Sequence, residues 1–166
     1  MTKQSKKLDD AFHETLKDIY FAEKKILSAL PKMEKAAQSS ELKKAFDKHR
    51  GETEGHVKRL EQVFGLINAK PQGKTCDAIM GLMKEGESVV EEYKDSPALD
   101  ATLLAVAQAV EHYEISRYGT LKTWAGELGI DGAVKLLDAT LQEEKKTDTA
   151  LTQLAVTIIN YEAEAA

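Results

Sequence analysis

Apolar residues recur every three or four positions along most of the chain, the spacing that buries one face of an α-helix. A first helix is predicted over 7–37, on Leu8, Phe12, Leu16, Ile19, Ile26, Leu30 and Met33, with Pro31 inside the pattern and expected to bend it. Ser39 and Ser40 stand where they can cap a second helix over 41–68, whose buried side is Leu42, Ala45, Phe46, Leu60, Val63 and Ile67. A turn-rich stretch over 69–74 precedes a shorter helix over 75–93, in which Gly81 and Gly86 suggest a thin, closely packed crossover. Ser96 as cap and Pro97 in the first turn open a helix over 97–128. Gly129-Ile130-Asp131-Gly132 separates it from a last helix over 132–161, with Val134, Leu137, Leu141, Leu151, Ala155 and Ile158 on one face; 162–166 should fray.

The apolar face of each long helix is broken near its middle by acids or histidines. Glu23 falls between Ile19 and Ile26; His49, Glu52 and His56 fall between Phe46 and Leu60. Glu111, Glu114 and Tyr118 share the row of Leu104, Ala107, Leu121 and Ala125, and Glu144 and Asp148 lie on the row of Leu141 and Leu151. Counted from the hairpin turns, Glu23 and His56 are level, with Glu52 about 5–6 Å nearer the turn. Glu111, Glu114, Glu144 and Asp148 are level in the second pair. Buried anions are costly and repel one another, so this region is either wet or holds cations.

Singly, each position has a plainer explanation. Glu23 alone reads as a surface residue out of phase, Glu111 and Glu114 as salt-bridge partners, and His49 and His56 as core-edge or surface histidines. Coincidence across four helices favours one interior site for two hard or borderline cations, iron or manganese rather than structural zinc. The candidate metal ligands are Glu23, His49, Glu52, Glu111, Glu114, Glu144 and Asp148, with Glu52 and Glu144 best placed to bridge. The choice between His49 and His56 as nitrogen donor stays open, as does coordination by Asp148. His112 lies off the inward row, Tyr20, Tyr113 and Tyr118 read as packing residues, and Glu143, Lys145 and Lys146 read as solvated face.

Composition narrows the classes. The 166 residues suit a single domain over 1–166, and 31% charged against 6% aromatic residues favour helices over strands. A net charge of −5 leaves no basic footprint for nucleic acid. No apolar run has membrane-spanning length, and no signal-peptide core is present, so no membrane partner is expected. Cys76 is alone, which excludes an intrachain disulfide and points to the cytoplasm. There is no phosphate-cradling glycine loop, nucleophile elbow or CxxC pair.

Tyr20-x-x-Glu23-Lys24, Ala29-Leu30-Pro31-Lys32-Met33, His49-x-x-Glu52-Thr53, Glu111-His112-Tyr113-Glu114-Ile115 and Glu143-Glu144-Lys145 together resemble the YciE/YciF-type family of bacterial ferritin-like stress proteins, the YciF branch in particular. The resemblance runs over about residues 5–160. It implies an all-α, ferritin-like four-helix bundle with an additional helical crossover between the second and third bundle helices, a homodimer and a di-metal centre. The implied cofactors are two iron ions, with manganese or a mixed pair as the alternative. The wider ferritin-like group, rubrerythrins included, uses a Glu from the first helix, Glu-x-x-His from the second and fourth, and a Glu or Glu-x-x-Glu from the third. Glu23 and Glu111-x-x-Glu114 fit that scheme, whereas the two histidine slots hold Gly55 and Thr147, with His56 and Asp148 one residue later. Three roles follow: Fe(II) oxidation or peroxide reduction with O2 or peroxide as partner; iron storage in a cage; or a non-enzymatic stress protein whose metals only stabilise the bundle. The helix over 75–93 and the lack of a channel-lining acidic cluster speak against the cage.

Overall fold

The computed structural model describes residues 5–165. Its elements are α1 (Leu8–Ala36), α2 (Ser40–Leu66), α3 (Asp77–Glu92), α4 (Leu99–Glu127), α5 (Asp131–Leu154), a π-helical turn (Ala155–Ile159) and α6 (Asn160–Ala165), with no strand among the described residues. α1 packs on α2 and α4 on α5, and the two hairpins meet through α1 against α4 and α2 against α5. α3 crosses the outside of this ferritin-like four-helix bundle, resting on α4 and touching α1.

Local chemistry sets the element ends. Ser39 caps α2, its Oγ accepting from the backbone N–H of Glu41 (3.2 Å) and Leu42 (3.5 Å). The buried Asp100 carboxylate, in the first turn of α4, accepts from the backbone N–H of Gln38 (2.8 Å) and Ser39 (2.5 Å). This ties the start of α4 to the turn between α1 and α2, so α2 and α4 leave from the same end of the bundle. At the opposite end Lys74 N–H donates to the Lys17 carbonyl (3.2 Å), anchoring the chain before it enters α3. α4 stops at Gly129, whose φ of +70° suits glycine, while Ile130 N–H reaches back to the Ala125 carbonyl (2.9 Å).

Several boundaries differ from the sequence expectation. α4 begins at Leu99 because Ser96 Oγ accepts from Ala98 N–H (3.1 Å) and the Ser96 carbonyl from Leu99 N–H (3.1 Å), a turn that holds Pro97 outside the helix. The last helix is interrupted by the π-helical turn, and residues 160–165 stay helical rather than fraying; Ala166 lies outside the described residues. The glycines of α3 do not mark close packing. A Cβ on Gly81 would meet nothing within 4 Å, and one on Gly86 would touch only Val106 at an ordinary 3.4 Å. No helix among the described residues is long and apolar enough to cross a membrane.

Along α1, Phe12, Leu16 and Ile19 are buried before Glu23, and Ile26 and Leu30 after it. The same order holds on α4, where Leu103 and Leu104 precede Glu111 and Leu121 and Ala125 follow Tyr118. Each such large side chain contributes about 1.5–3 kcal/mol by leaving water. Apolar packing on both sides of the polar middle therefore holds the acids inside.

Candidate metal centre

Six residues meet in the middle of the bundle: Glu23 from α1, His49 and His56 from α2, Glu111 and Glu114 from α4, and Glu144 from α5. None is more than 5% exposed. Their sequence positions explain why. Glu111 and Glu114 are three apart on α4 and share its inner face. His49 and His56 are seven apart, about two turns, with Thr53 buried between them, its Oγ1 donating to the His49 carbonyl (2.8 Å). Across that gap the two imidazoles lean together, ring centroids 6.2 Å apart.

Two groups of donors can be drawn. One is Glu23, His56, Glu114 and Glu144; the other is His49, Glu111, Glu114 and Glu144. Within each, one donor atom per residue lies within 4.8 Å of the others. Nitrogen and oxygen donors about 2.0–2.4 Å from a common ion span about 4–5 Å across it, so both groups have the dimensions of a coordination shell. Glu114 and Glu144 belong to both groups.

The electrostatics without an ion are strained. Burial, followed by the charges of Glu144 and Glu23, pushes the Glu111 carboxyl up to about 11. Burial and the same two neighbours, with Glu111, push Glu114 well above the ordinary carboxylate range. Burial alone disfavours a charged His56, yet Glu144 (3.0 Å) and Glu23 (3.4 Å) beside Nδ1 outweigh it and raise the imidazole to about 11. Burial likewise opposes ionisation of Glu144, but His56 overcomes it and holds that carboxyl below its ordinary value. A buried Tyr118 hydroxyl donates to Glu23 Oε1, and burial followed by the Glu23 charge drives the phenol far above its usual range.

Even so, the cluster is not satisfied from within. Among the described residues, the buried side-chain nitrogen and oxygen atoms without a hydrogen-bond partner all belong to these six residues. They include both carboxylate oxygens of Glu114 and Glu144, both ring nitrogens of His49, and His56 Nδ1. Unpartnered buried polar atoms are rare in folded proteins, and here they face one another at one point. This pattern fits cations, which satisfy carboxylate and imidazole lone pairs at once. The donor set, rich in oxygen with one imidazole at each end, suits iron or manganese.

A second layer aims His56. Its Nε2 lies 2.9 Å from Glu143 Oε2, and Arg59 clamps Glu143 through two bonds of 2.7 and 2.8 Å while also reaching Thr140 (3.2 Å). With Nε2 donating to a carboxylate, Nδ1 is the nitrogen that faces the interior, and it would offer a lone pair to an ion there once that ion displaced its proton. Glu143, expected on the solvated face, is thus half-buried in an ion-pair network because its side chain folds back between α5 and α2. Arg59 and Glu143 were not among the residues that sequence reasoning singled out for the site. The signal available was their spacing, Arg59 three after His56 and Glu143 next to Glu144.

Two of the candidate ligands stand apart from the groups. The Glu52 carboxylate is at the rim, bonded to Lys48 (2.6 Å), 3.5 Å from Thr147 Oγ1 and 3.7 Å from His49 Nδ1; His49, then Lys48, hold it down at about 2. Asp148 turns to the α4–α5 seam, where it accepts from Gln108 Nε2 (3.2 Å) and pairs with the exposed His112 (3.2 Å). Glu23, His49, Glu111, Glu114 and Glu144 are brought together, and His56 joins His49 rather than replacing it.

Comparison with known proteins agrees with this architecture. A family model described as a domain of unknown function (DUF892) matches residues 7–164. The chain is 44% identical to Protein YciF of Escherichia coli (strain K12) over 160 residues, 96% of each chain. The crystal structure of the E. coli stress protein YciF superposes with a TM-score of 0.89 at 43% identity, covering 94% of this chain and 99% of that one. YcfI from Rhodopseudomonas palustris superposes with a TM-score of 0.87 at 44% identity, covering 92% and 97%. A Xanthomonas campestris protein at 19% identity shares the fold, with a TM-score of 0.75 over 96% of this chain and 98% of that one.

Proposed function

We propose that this chain, which belongs to the DUF892 family and is a YciF-like stress protein, binds two metal ions, iron foremost, between the carboxylates and imidazoles of its bundle core. The observation that carries the reading is the convergence of every unpartnered buried donor among the described residues on one spot. In this reading Glu23 and His56 serve one ion, His49 and Glu111 the other, and Glu114 and Glu144 are shared. Glu52 stands at the edge of the His49 end, and Asp148 serves the α4–α5 seam.

Iron held by such donors supplies electron transfer to or from dioxygen or peroxide, the chemistry of Fe(II) oxidation and peroxide reduction. The chain's own residues prepare the place. Glu143, clamped by Arg59, orients the His56 ring; Tyr118 holds Glu23 by a hydrogen bond; and the apolar packing above and below excludes bulk water. A second reading has the ions only fasten the bundle, and it is favoured by the fact that all four long helices contribute donors. We further propose a cytoplasmic homodimer, too small to enclose a mineral, which size-exclusion chromatography separates from a cage.

The test is anaerobic Fe(II) titration of protein purified without a metal-affinity tag, followed by addition of dioxygen or peroxide. Two ions per chain in the wild type and a deficit in Glu23→Ala support the site, whereas equal uptake by both removes it. Peroxide consumption faster in wild type than in Glu114→Ala supports redox turnover. Equal consumption with intact binding leaves the fastening role.

A further inference from the structure

One cavity adjoins the site from the side of the α1–α2 turn. Its volume is about 20 Å³, somewhat more than the 10–15 Å³ or so that a single water requires. Its wall is carbon almost throughout, from Ile26, Phe46, Ala107, Val110 and Leu151 among others, and its polar lining is His49, Glu111 and Thr147. Met33 of α1 and Met83 of α3, both half-buried, also line it. Unbranched thioether side chains shift at little cost, and the two methionines form no hydrogen bond that such a shift would break.

We propose that this cavity is a binding and access site for a small apolar gas, dioxygen, held against the His49–Glu111 end of the centre. Along the carbon-lined stretch a polar molecule forfeits its hydrogen bonds to water, so that stretch favours apolar guests. Peroxide, with two hydroxyl groups to satisfy, is disfavoured along the wall; dioxygen has none. The position supports the same ligand, since the lining includes His49 and Glu111, two donors of one of the groups. The use of the cavity rests on the metal-centre reading, but its existence as a gas site does not.

Metal-free crystals pressurised with xenon test the gas site directly. Xenon density between Ile26, Val110 and His49 in the wild type, absent in Ala107→Leu, is the expected result; no density there overturns the proposal. Ala29→Leu, at the half-buried rim, is the second variant should Ala107→Leu melt early. In solution, dissolved dioxygen should broaden the methyl resonances of Met33 and Met83 in metal-free protein more than exposed methyls, and equal broadening counts against a site. With Fe(II)-loaded protein, the ratio of the dioxygen-driven to the peroxide-driven oxidation rate should fall several-fold in Ala29→Leu. An unchanged ratio overturns the access role, whereas failure of Fe(II) to bind at all strikes the metal reading and leaves the xenon result standing.

Discussion

Glu114 is fully buried and faces the charges of three other carboxyl groups. Both its oxygens are buried without a partner, and burial with the charges of Glu144, Glu23 and Glu111 drives its carboxyl upward. Replacing such a group by a neutral one of the same shape removes the cost of holding a buried carboxyl protonated in the ion-free protein. Glu114→Gln is therefore expected to melt higher than wild type without metal and to gain little when metal is added, as differential scanning calorimetry would show. Lower ion-free melting would mean that the site is satisfied in some other way. The pH dependence follows from the same residues. Glu111 and His56 are each raised to about 11 when folded, so the ion-free native state keeps protons that the unfolded chain releases. Their contribution is complete below the ordinary pKa and declines as pH rises toward the folded value. Ion-free protein should thus lose stability as pH rises from about 5 toward about 11, the opposite of a fold held by ionised carboxylates of lowered pKa. Metal uptake near neutral pH should release protons, which calorimetric titration in buffers of different ionisation enthalpy measures.

At the level of the helices, the turn between α1 and α2 depends on an acid that the hydrophobic pattern does not reveal. Asp100→Ala removes the charged acceptor of the Gln38 and Ser39 backbone N–H groups, and should cost about 1–3 kcal/mol in urea unfolding. Ser39→Ala, which removes a cap nearer solvent, should cost about 1 kcal/mol. The contrast shows what the sequence discloses. Inward positions such as Glu23, Glu111, Glu114 and Glu144 are legible because helical phase places them on the apolar row. On α2, Phe46, His49, Thr53, His56 and Leu60 are all buried, a stripe at steps of three and four that carries both histidines inward and leaves Glu52 at its edge. On α5, Glu144, Thr147 and Leu151 are buried in the same way, which turns Asp148 aside. Periodicity alone does not decide between neighbours such as Thr147 and Asp148. The Arg59–Glu143 clamp and the Asp100 contacts join residues more than sixty positions apart and arise only when the helices assemble.

For the molecule as a whole, two hairpins face each other across an anionic interior, and α3 contributes little to that interface. Its exposed residues outnumber its buried ones, and Ile79 is its single buried side chain. Asp100 joins the beginning of the second hairpin to the bend of the first, so the relative height of the two halves is held by contacts that do not pass through α3. A nick in the exposed linker at 70–75 or the turn at 94–95 should therefore yield two polypeptides that find each other in solution, more firmly with iron than without. Co-purification of separately tagged halves, with and without a chelator, would measure it. The covalent crossover would then be a convenience of synthesis, and the true fastening of the protein an ionic rivet shared by its halves.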